Sequence, residues 1–137
     1  MAEAMKTTAP QLTGEKGRDG PVNESSHRDR LMAYLEAYEA RDIEAVGGML
    51  SDQVSLRDWD ICVQGKDAAL DETRKNFASV QHLKIVPLRV FESEGAVAAE
   101  LQILIDGRLD LRVVDVVEFD AQGAICAIRA YKGRPGV

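Results

Sequence analysis

Residues 83–132, LKIVPLRVFESEGAVAAELQILIDGRLDLRVVDVVEFDAQGAICAIRAYK, contain four runs rich in apolar and β-branched residues. Short turns that contain glycine separate these runs. This pattern predicts strands at residues 83–92, 96–106, 109–119 and 124–132. Turns of this length usually join antiparallel neighbours. The second half of the chain therefore predicts an antiparallel sheet.

The part of the chain before this run predicts three helices. Ser26 resembles the start of a capping box, and apolar residues then recur at helical spacing until about residue 41. Asp42 is a predicted cap of a second helix of about two turns, and residues 66 to about 80 predict a third. A strand is predicted from Gln53, continuing irregularly to Val63. Helices followed by strands are typical of the α+β class, with the helices on one face of the sheet.

Length and charge limit the range of functions. A chain of 137 residues fits one domain, here residues 26–133, after a polar tail predicted to be disordered at 1–25 and before a short tail at 134–137. The net charge of −6 argues against nucleic acid and anionic membranes as partners. No apolar run suits a signal peptide or a membrane span, so the predicted location is the cytoplasm.

The sequence offers no recognisable motif for a metal or cofactor. Its two histidines, His27 and His82, have no metal-ligand spacing, and neither a nucleophile elbow nor a glycine-rich phosphate loop occurs. Cys62 and Cys126 each lie in an apolar run, which predicts small buried side chains rather than a disulfide. We therefore predict no metal and no cofactor.

Three polar residues interrupt faces that are otherwise apolar. Asp115 lies in a strand face formed by Leu111, Val113, Val117 and Phe119. Asp58 continues the face of Val54 and Leu56, and Tyr34 lies in the apolar stripe of the first helix. A carboxyl group buried among apolar side chains tends to keep its proton. Each residue alone could be structural, but together they indicate a functional pocket.

These residues lie in segments that resemble a known family. Residues 34–58, the turn at Gly65, and residues 114–119 through 128–133 resemble the ketosteroid isomerase branch of the nuclear transport factor 2-like (SnoaL-like) superfamily. The resemblance implies a cone-shaped roll, in which the helices pack on a strongly curved, mixed, mostly antiparallel sheet around an apolar pocket. It also implies a homodimer formed through the outer face of the sheet.

The resemblance further implies roles for individual residues. Asp58 corresponds to the general base, Tyr34 to the oxyanion-hole tyrosine, and Asp115 to the protonated aspartic acid that donates a second hydrogen bond. The residues predicted to contact the substrate are Trp59, Val54, Leu56, Phe77, Val113, Val117, Phe119 and Ile128. Leu50 and Thr73 occupy positions where the family has supporting tyrosines, and Trp59 replaces a proline.

The predicted function is a cofactor-independent isomerase acting on a small apolar carbonyl compound. A polyketide-cyclase-like aldol catalyst would use the same base and oxyanion donors, and a non-catalytic binding or association domain is the alternative from another class. Arg57 and Arg112 beside the two aspartates also loosely resemble the arginine and aspartate pairs of limonene epoxide hydrolases. Both arginines, however, alternate away from the faces that carry the carboxylates.

Overall fold

A computed structural model describes residues 26–134, so the tail predicted to be disordered and residues 135–137 lie outside the described residues. The helices are α1 (His27–Glu39), α2 (Ile43–Met49) and α3 (Lys66–Ala78). The Ser26 hydroxyl accepts a hydrogen bond from the Asp29 N–H at 3.0 Å, and the Asp42 carboxylate accepts one from the Ala45 N–H at 3.1 Å. Both caps predicted from the sequence therefore begin helices.

Six strands form one open, mixed sheet in the order β2-β1-β6-β5-β4-β3. Their bounds are β1 (Leu50–Arg57), β2 (Cys62–Gln64), β3 (Leu83–Ser93), β4 (Ala96–Ile105), β5 (Leu109–Phe119) and β6 (Ile125–Lys132). β1 and β6 are parallel, and every other neighbouring pair is antiparallel. The α+β prediction is confirmed, with α1 lying against β3 and β4 and α3 against β1 and β2.

The prediction for the first strand was wrong at both ends. β1 begins at Leu50 rather than at Gln53, and it ends at Arg57 instead of continuing to Val63. The chain reverses because one Asp58 carboxylate oxygen accepts from the Asp60 and Ile61 N–H groups at 2.7 and 2.9 Å. The Asp58 N–H in turn donates to the Ile61 carbonyl at 3.0 Å. Asp58 is thus a turn residue, placed at the end of the strand that leads into the cavity described below.

The core lies between the helices and the apolar face of the sheet. Its fully buried side chains include Leu31, Val46, Val54, Val97, Leu101, Val117 and Ile125. The prediction of buried cysteines was wrong for Cys62, which is exposed, while Cys126 is half-buried and both are free thiols. Cys62 is exposed because β2 is a short strand at the edge of the sheet. Bulges in β1, in β3 and between β5 and β6 interrupt the ladder at positions where a strand can bend.

Candidate active site

A cavity of about 250 Å³ lies between the helices and the sheet. It is lined mainly by apolar residues, among them Leu35, Leu56, Phe77, Ile85, Leu101, Ile103, Leu111, Val113 and Ile128. Tyr34, Asp58 and Asp115 line the same cavity. The structure therefore brings together the three polar residues that the sequence singled out, although they come from a helix, a turn and a strand.

Asp115 lies in the middle of β5, where its strand neighbours are Ala99 of β4 and Ala130 of β6. These small neighbours leave room above the carboxyl group. Asp115 is half-buried, because its side chain borders the cavity rather than packing against other side chains. Burial, and secondly the nearby charge of Asp58, raises the pKa of Asp115 to about 7. Within residues 26–134 no group donates a hydrogen bond to this carboxyl, so nothing offsets the desolvation.

Tyr34 on α1 is 6% exposed, and its ring lies 5.9 Å from that of Tyr38. Burial, followed by the proximity of Tyr38 and Asp115, raises the pKa of Tyr34 well above its ordinary value. The hydroxyl therefore keeps its proton at neutral pH. No described residue forms a hydrogen bond with it, which leaves the O–H available to a ligand in the cavity.

Asp58 presents a different environment, since it is half-buried at the turn after β1. Both backbone hydrogen bonds in the turn go to its Oδ1 atom, and no described group donates to Oδ2. One carboxylate oxygen is thus fixed by the backbone, while the other remains able to accept a proton. A general base requires a free oxygen of this kind on a carboxylate that is held in place.

Five of the eight predicted substrate contacts line the cavity, namely Leu56, Trp59, Phe77, Val113 and Ile128. The prediction was wrong for Val54, Val117 and Phe119. Val54 and Val117 are completely buried in the core, and the Phe119 ring stacks on His27 at 4.4 Å. Alternation along a strand identifies the inner face, but it does not show which inner residues lie beneath the helices and which lie beneath the cavity.

Tyr38 and Asn76 are polar residues of the cavity to which the sequence reasoning gave no role. The Tyr38 hydroxyl accepts a hydrogen bond from the Asn76 side chain at 3.0 Å, and both residues line the cavity. Burial raises the pKa of Tyr38, and the hydrogen bond from Asn76 partly lowers it again. The nearby charges of Asp115 and Asp58 raise the pKa further. The available signal was that Tyr38 follows Tyr34 by one helical turn on the same stripe. The contact between Tyr38 and Asn76, which lie 38 residues apart, could not be predicted from a single sequence.

Leu50, Thr73 and Trp59 occupy the positions where the sequence departs from the isomerases. The Thr73 hydroxyl donates to the Ala69 carbonyl within α3 at 2.8 Å, and Leu50 is buried in the core. Neither side chain supports the Tyr34 hydroxyl. Trp59, 43% exposed, lines the cavity, and the Lys132 ammonium lies 5.4 Å from its ring centre.

The family model of the SnoaL-like domain matches residues 31–128. The chain belongs to the SnoaL-like domain family. No curated protein matches it in sequence. This SnoaL-like domain is similar in fold to several solved structures.

An NTF2-like protein of unknown function from Cytophaga hutchinsonii has a TM-score of 0.69 at 15% identity, covering 81% of this chain and 93% of that one. A structure named as a candidate ketosteroid isomerase from Kribbella flavida has a TM-score of 0.70 at 13% identity, covering 81% and 80%. The epoxide hydrolase/cyclase-like enzyme SalBIII, of pyran ring formation in polyether salinomycin, has a TM-score of 0.69 at 17% identity, covering 78% and 90%. At such identities these likenesses show the NTF2-like fold.

Two further observations concern the described part of this SnoaL-like domain. Within residues 26–134 no group of three or more His, Cys, Asp and Glu side chains is arranged to hold a metal ion. No helix in that range is long and apolar enough to cross a membrane.

Proposed function

We propose that this SnoaL-like domain is a cofactor-independent isomerase that moves a proton on a small apolar carbonyl compound. In this proposal Asp58 is the general base. Tyr34 and Asp115 are neutral donors that hold the carbonyl oxygen as it becomes negatively charged. The cavity volume of about 250 Å³ is near the lower end of the range for ligand pockets, which favours a small substrate.

The observation that carries the proposal is the contrast between the two aspartates of one cavity. Asp115 accepts no hydrogen bond from the described residues, and its raised pKa of about 7 keeps it a neutral acid below that pH. Asp58 accepts two backbone N–H bonds at its Oδ1 atom, which hold the carboxyl group in place. The cavity thus holds one carboxyl group that can donate a hydrogen bond and a second whose free Oδ2 atom can accept a proton.

The proposed reaction follows from these states. Asp58 takes a proton from the carbon beside the carbonyl, and the electron pair moves onto the carbonyl oxygen to give a dienolate. Tyr34 and Asp115 donate hydrogen bonds to that oxygen, which stabilise it most in a site shielded from water. Asp58 then returns the proton two carbons away, and the double bond becomes conjugated with the carbonyl.

The positions of the arginines argue against an epoxide-hydrolase mechanism at this site. Arg57 donates to the Tyr131 hydroxyl at 3.3 Å, and Arg112 contacts Asp110 at 3.3 Å. Neither arginine lines the cavity. The pairs of arginine and aspartate that would activate water are therefore not formed around Asp58 or Asp115. An aldol catalyst of the cyclase type uses the same base and donors, so the choice of substrate distinguishes it from the isomerase.

The experiment is a turnover assay with a panel of β,γ-unsaturated ketones, from bicyclic enones to 3-oxo-Δ5 steroids, followed by the absorbance of the conjugated product. We expect turnover by the wild-type protein and a loss of about 10²–10⁴-fold in Asp58→Asn. Asparagine retains the Oδ1 acceptor of the turn, so the thermal stability should stay close to that of the wild type.

Asp52→Asn is the matched control, because this carboxylate lies on β1, the strand that precedes Asp58, but is exposed and contacts Lys66 at 3.6 Å. The control should keep wild-type turnover. No turnover of any ketone in the panel would contradict the isomerase and favour the binding domain.

We also propose that the domain forms a homodimer through the outer face of its sheet. That face carries large apolar side chains that are exposed, namely Leu88, Phe91, Val114 and Tyr131. Exposed apolar patches mark interaction sites in many proteins.

A further inference from the structure

A polar pair in the cavity has no part in the proton transfer proposed above. Tyr38 lies one turn beyond Tyr34 on α1, and its hydroxyl accepts from the Asn76 Nδ2 atom of α3 at 3.0 Å. Both residues line the same cavity as the two aspartates. Tyr38 is half-buried and Asn76 is exposed, so the pair spans from the cavity wall to its opening.

The hydrogen-bond capacity of this pair is only partly used. A tyrosine hydroxyl has one proton to donate, and Asn76 occupies its acceptor side. Among residues 26–134 nothing accepts the Tyr38 proton, and nothing donates to the amide oxygen of Asn76. The pair therefore offers one donor and one acceptor to whatever fills the cavity.

The position of the Tyr38 hydroxyl is well fixed. Its ring meets Phe77 edge-on with centroids 4.9 Å apart and lies 5.9 Å from the ring of Tyr34. Burial and the neighbouring carboxylates raise the pKa of Tyr38, so the hydroxyl stays protonated at neutral pH. A donor held in place before binding loses little freedom when a ligand arrives.

We propose that Tyr38 and Asn76 form a second recognition point, and that the pocket selects carbonyl compounds bearing a second oxygen, as a hydroxyl or carbonyl group. The inference rests on the proposed function, which places the first oxygen at Tyr34 and Asp115. The ring centres of the two tyrosines are 5.9 Å apart, so we expect the two ligand oxygens to be separated by a comparable distance. A rigid bicyclic ketone with a hydroxyl on its second ring carries two oxygens at a fixed separation of this kind.

The test measures binding and needs no turnover. The probes are two saturated bicyclic ketones that differ only in a hydroxyl on the second ring and that have no double bond to isomerise. The single tryptophan, Trp59, lines the cavity, so its fluorescence reports the Kd of each probe for the full-length wild-type protein. We expect the hydroxylated ketone to bind about 3- to 15-fold more tightly, as one or two hydrogen bonds allow.

Tyr38→Phe and Asn76→Ala should each bring this ratio of Kd values toward one. Asn76 is exposed, so its variant keeps the test valid should the tyrosine variant fail to fold. Tyr131→Phe is the matched control, because Tyr131 lies outside the cavity and should keep the wild-type ratio.

Three results would overturn the inference: a wild-type ratio of one, a ratio unchanged in both cavity variants, or no binding of either ketone. The assay also separates this inference from the proposed function. If no enone is isomerised but the ratio falls in both variants, the recognition point stands and the isomerase does not.

Discussion

Asp115 is the residue on which the proposed chemistry depends, and its environment has a consequence for stability. Burial raises its pKa from 3.8 to about 7, so between these values the folded protein holds a proton that the unfolded chain releases. Folding is then favoured by low pH, and this contribution is lost as the pH rises through that window. Asn cannot ionise, so Asp115→Asn removes the dependence.

The prediction is tested by chemical denaturation of both proteins at pH 5 and pH 8. The free energy of unfolding of the wild type should fall between these pH values by up to about 2–3 kcal/mol more than that of Asp115→Asn. Exposure of the group to the cavity lowers this figure, so a difference of about 1 kcal/mol would still agree. Parallel behaviour of the two proteins would show that Asp115 is ionised at both pH values.

At the scale of elements, the turn at residues 58–61 has a structural role that is separate from the proposed chemistry. Asp58→Ala removes the acceptor of two backbone hydrogen bonds, whereas Asp58→Asn keeps it. We expect Asp58→Ala to destabilise the protein by about 1–3 kcal/mol, and Asp58→Asn by less than half of that. Thermal unfolding of both variants measures the difference. Equal losses would mean that the carboxylate charge, rather than its acceptor oxygen, holds the turn.

The same elements show what the sequence could predict. β5 spans residues 109–119 as predicted, because apolar alternation over its whole length defines both its face and its ends. The end of β1 was missed because a side-chain hydrogen bond of Asp58, rather than a change in polarity, reverses the chain. Tyr34, Asp58 and Asp115 were found because each breaks an apolar pattern. Tyr38 and Asn76 were missed because their significance arises only from contact between two helices.

At the scale of the whole molecule, the outer face of the sheet carries exposed apolar side chains. Val114 is 38% exposed at its centre, between the β4 residue Glu100 and the β6 residue Tyr131. In the proposed homodimer a charge at this position would be buried without a partner, which costs several kcal/mol. Val114→Glu should therefore shift the mass in light scattering from twice 15.0 kDa to 15.0 kDa.

Gln122→Glu adds the same charge in the exposed turn between β5 and β6, away from the proposed interface, and should leave the mass of the wild type unchanged. A wild-type mass of 15.0 kDa would contradict the homodimer. It would leave the cavity argument untouched, because every residue of the site described above comes from one chain.

The protonation of Asp115 is tested most directly by a carboxyl ¹³C NMR titration of the full-length protein, with Asp115→Asn identifying its resonance. Because the group is buried, we expect a titration midpoint near pH 7. A midpoint near 4, the ordinary value for an aspartate in water, would contradict it.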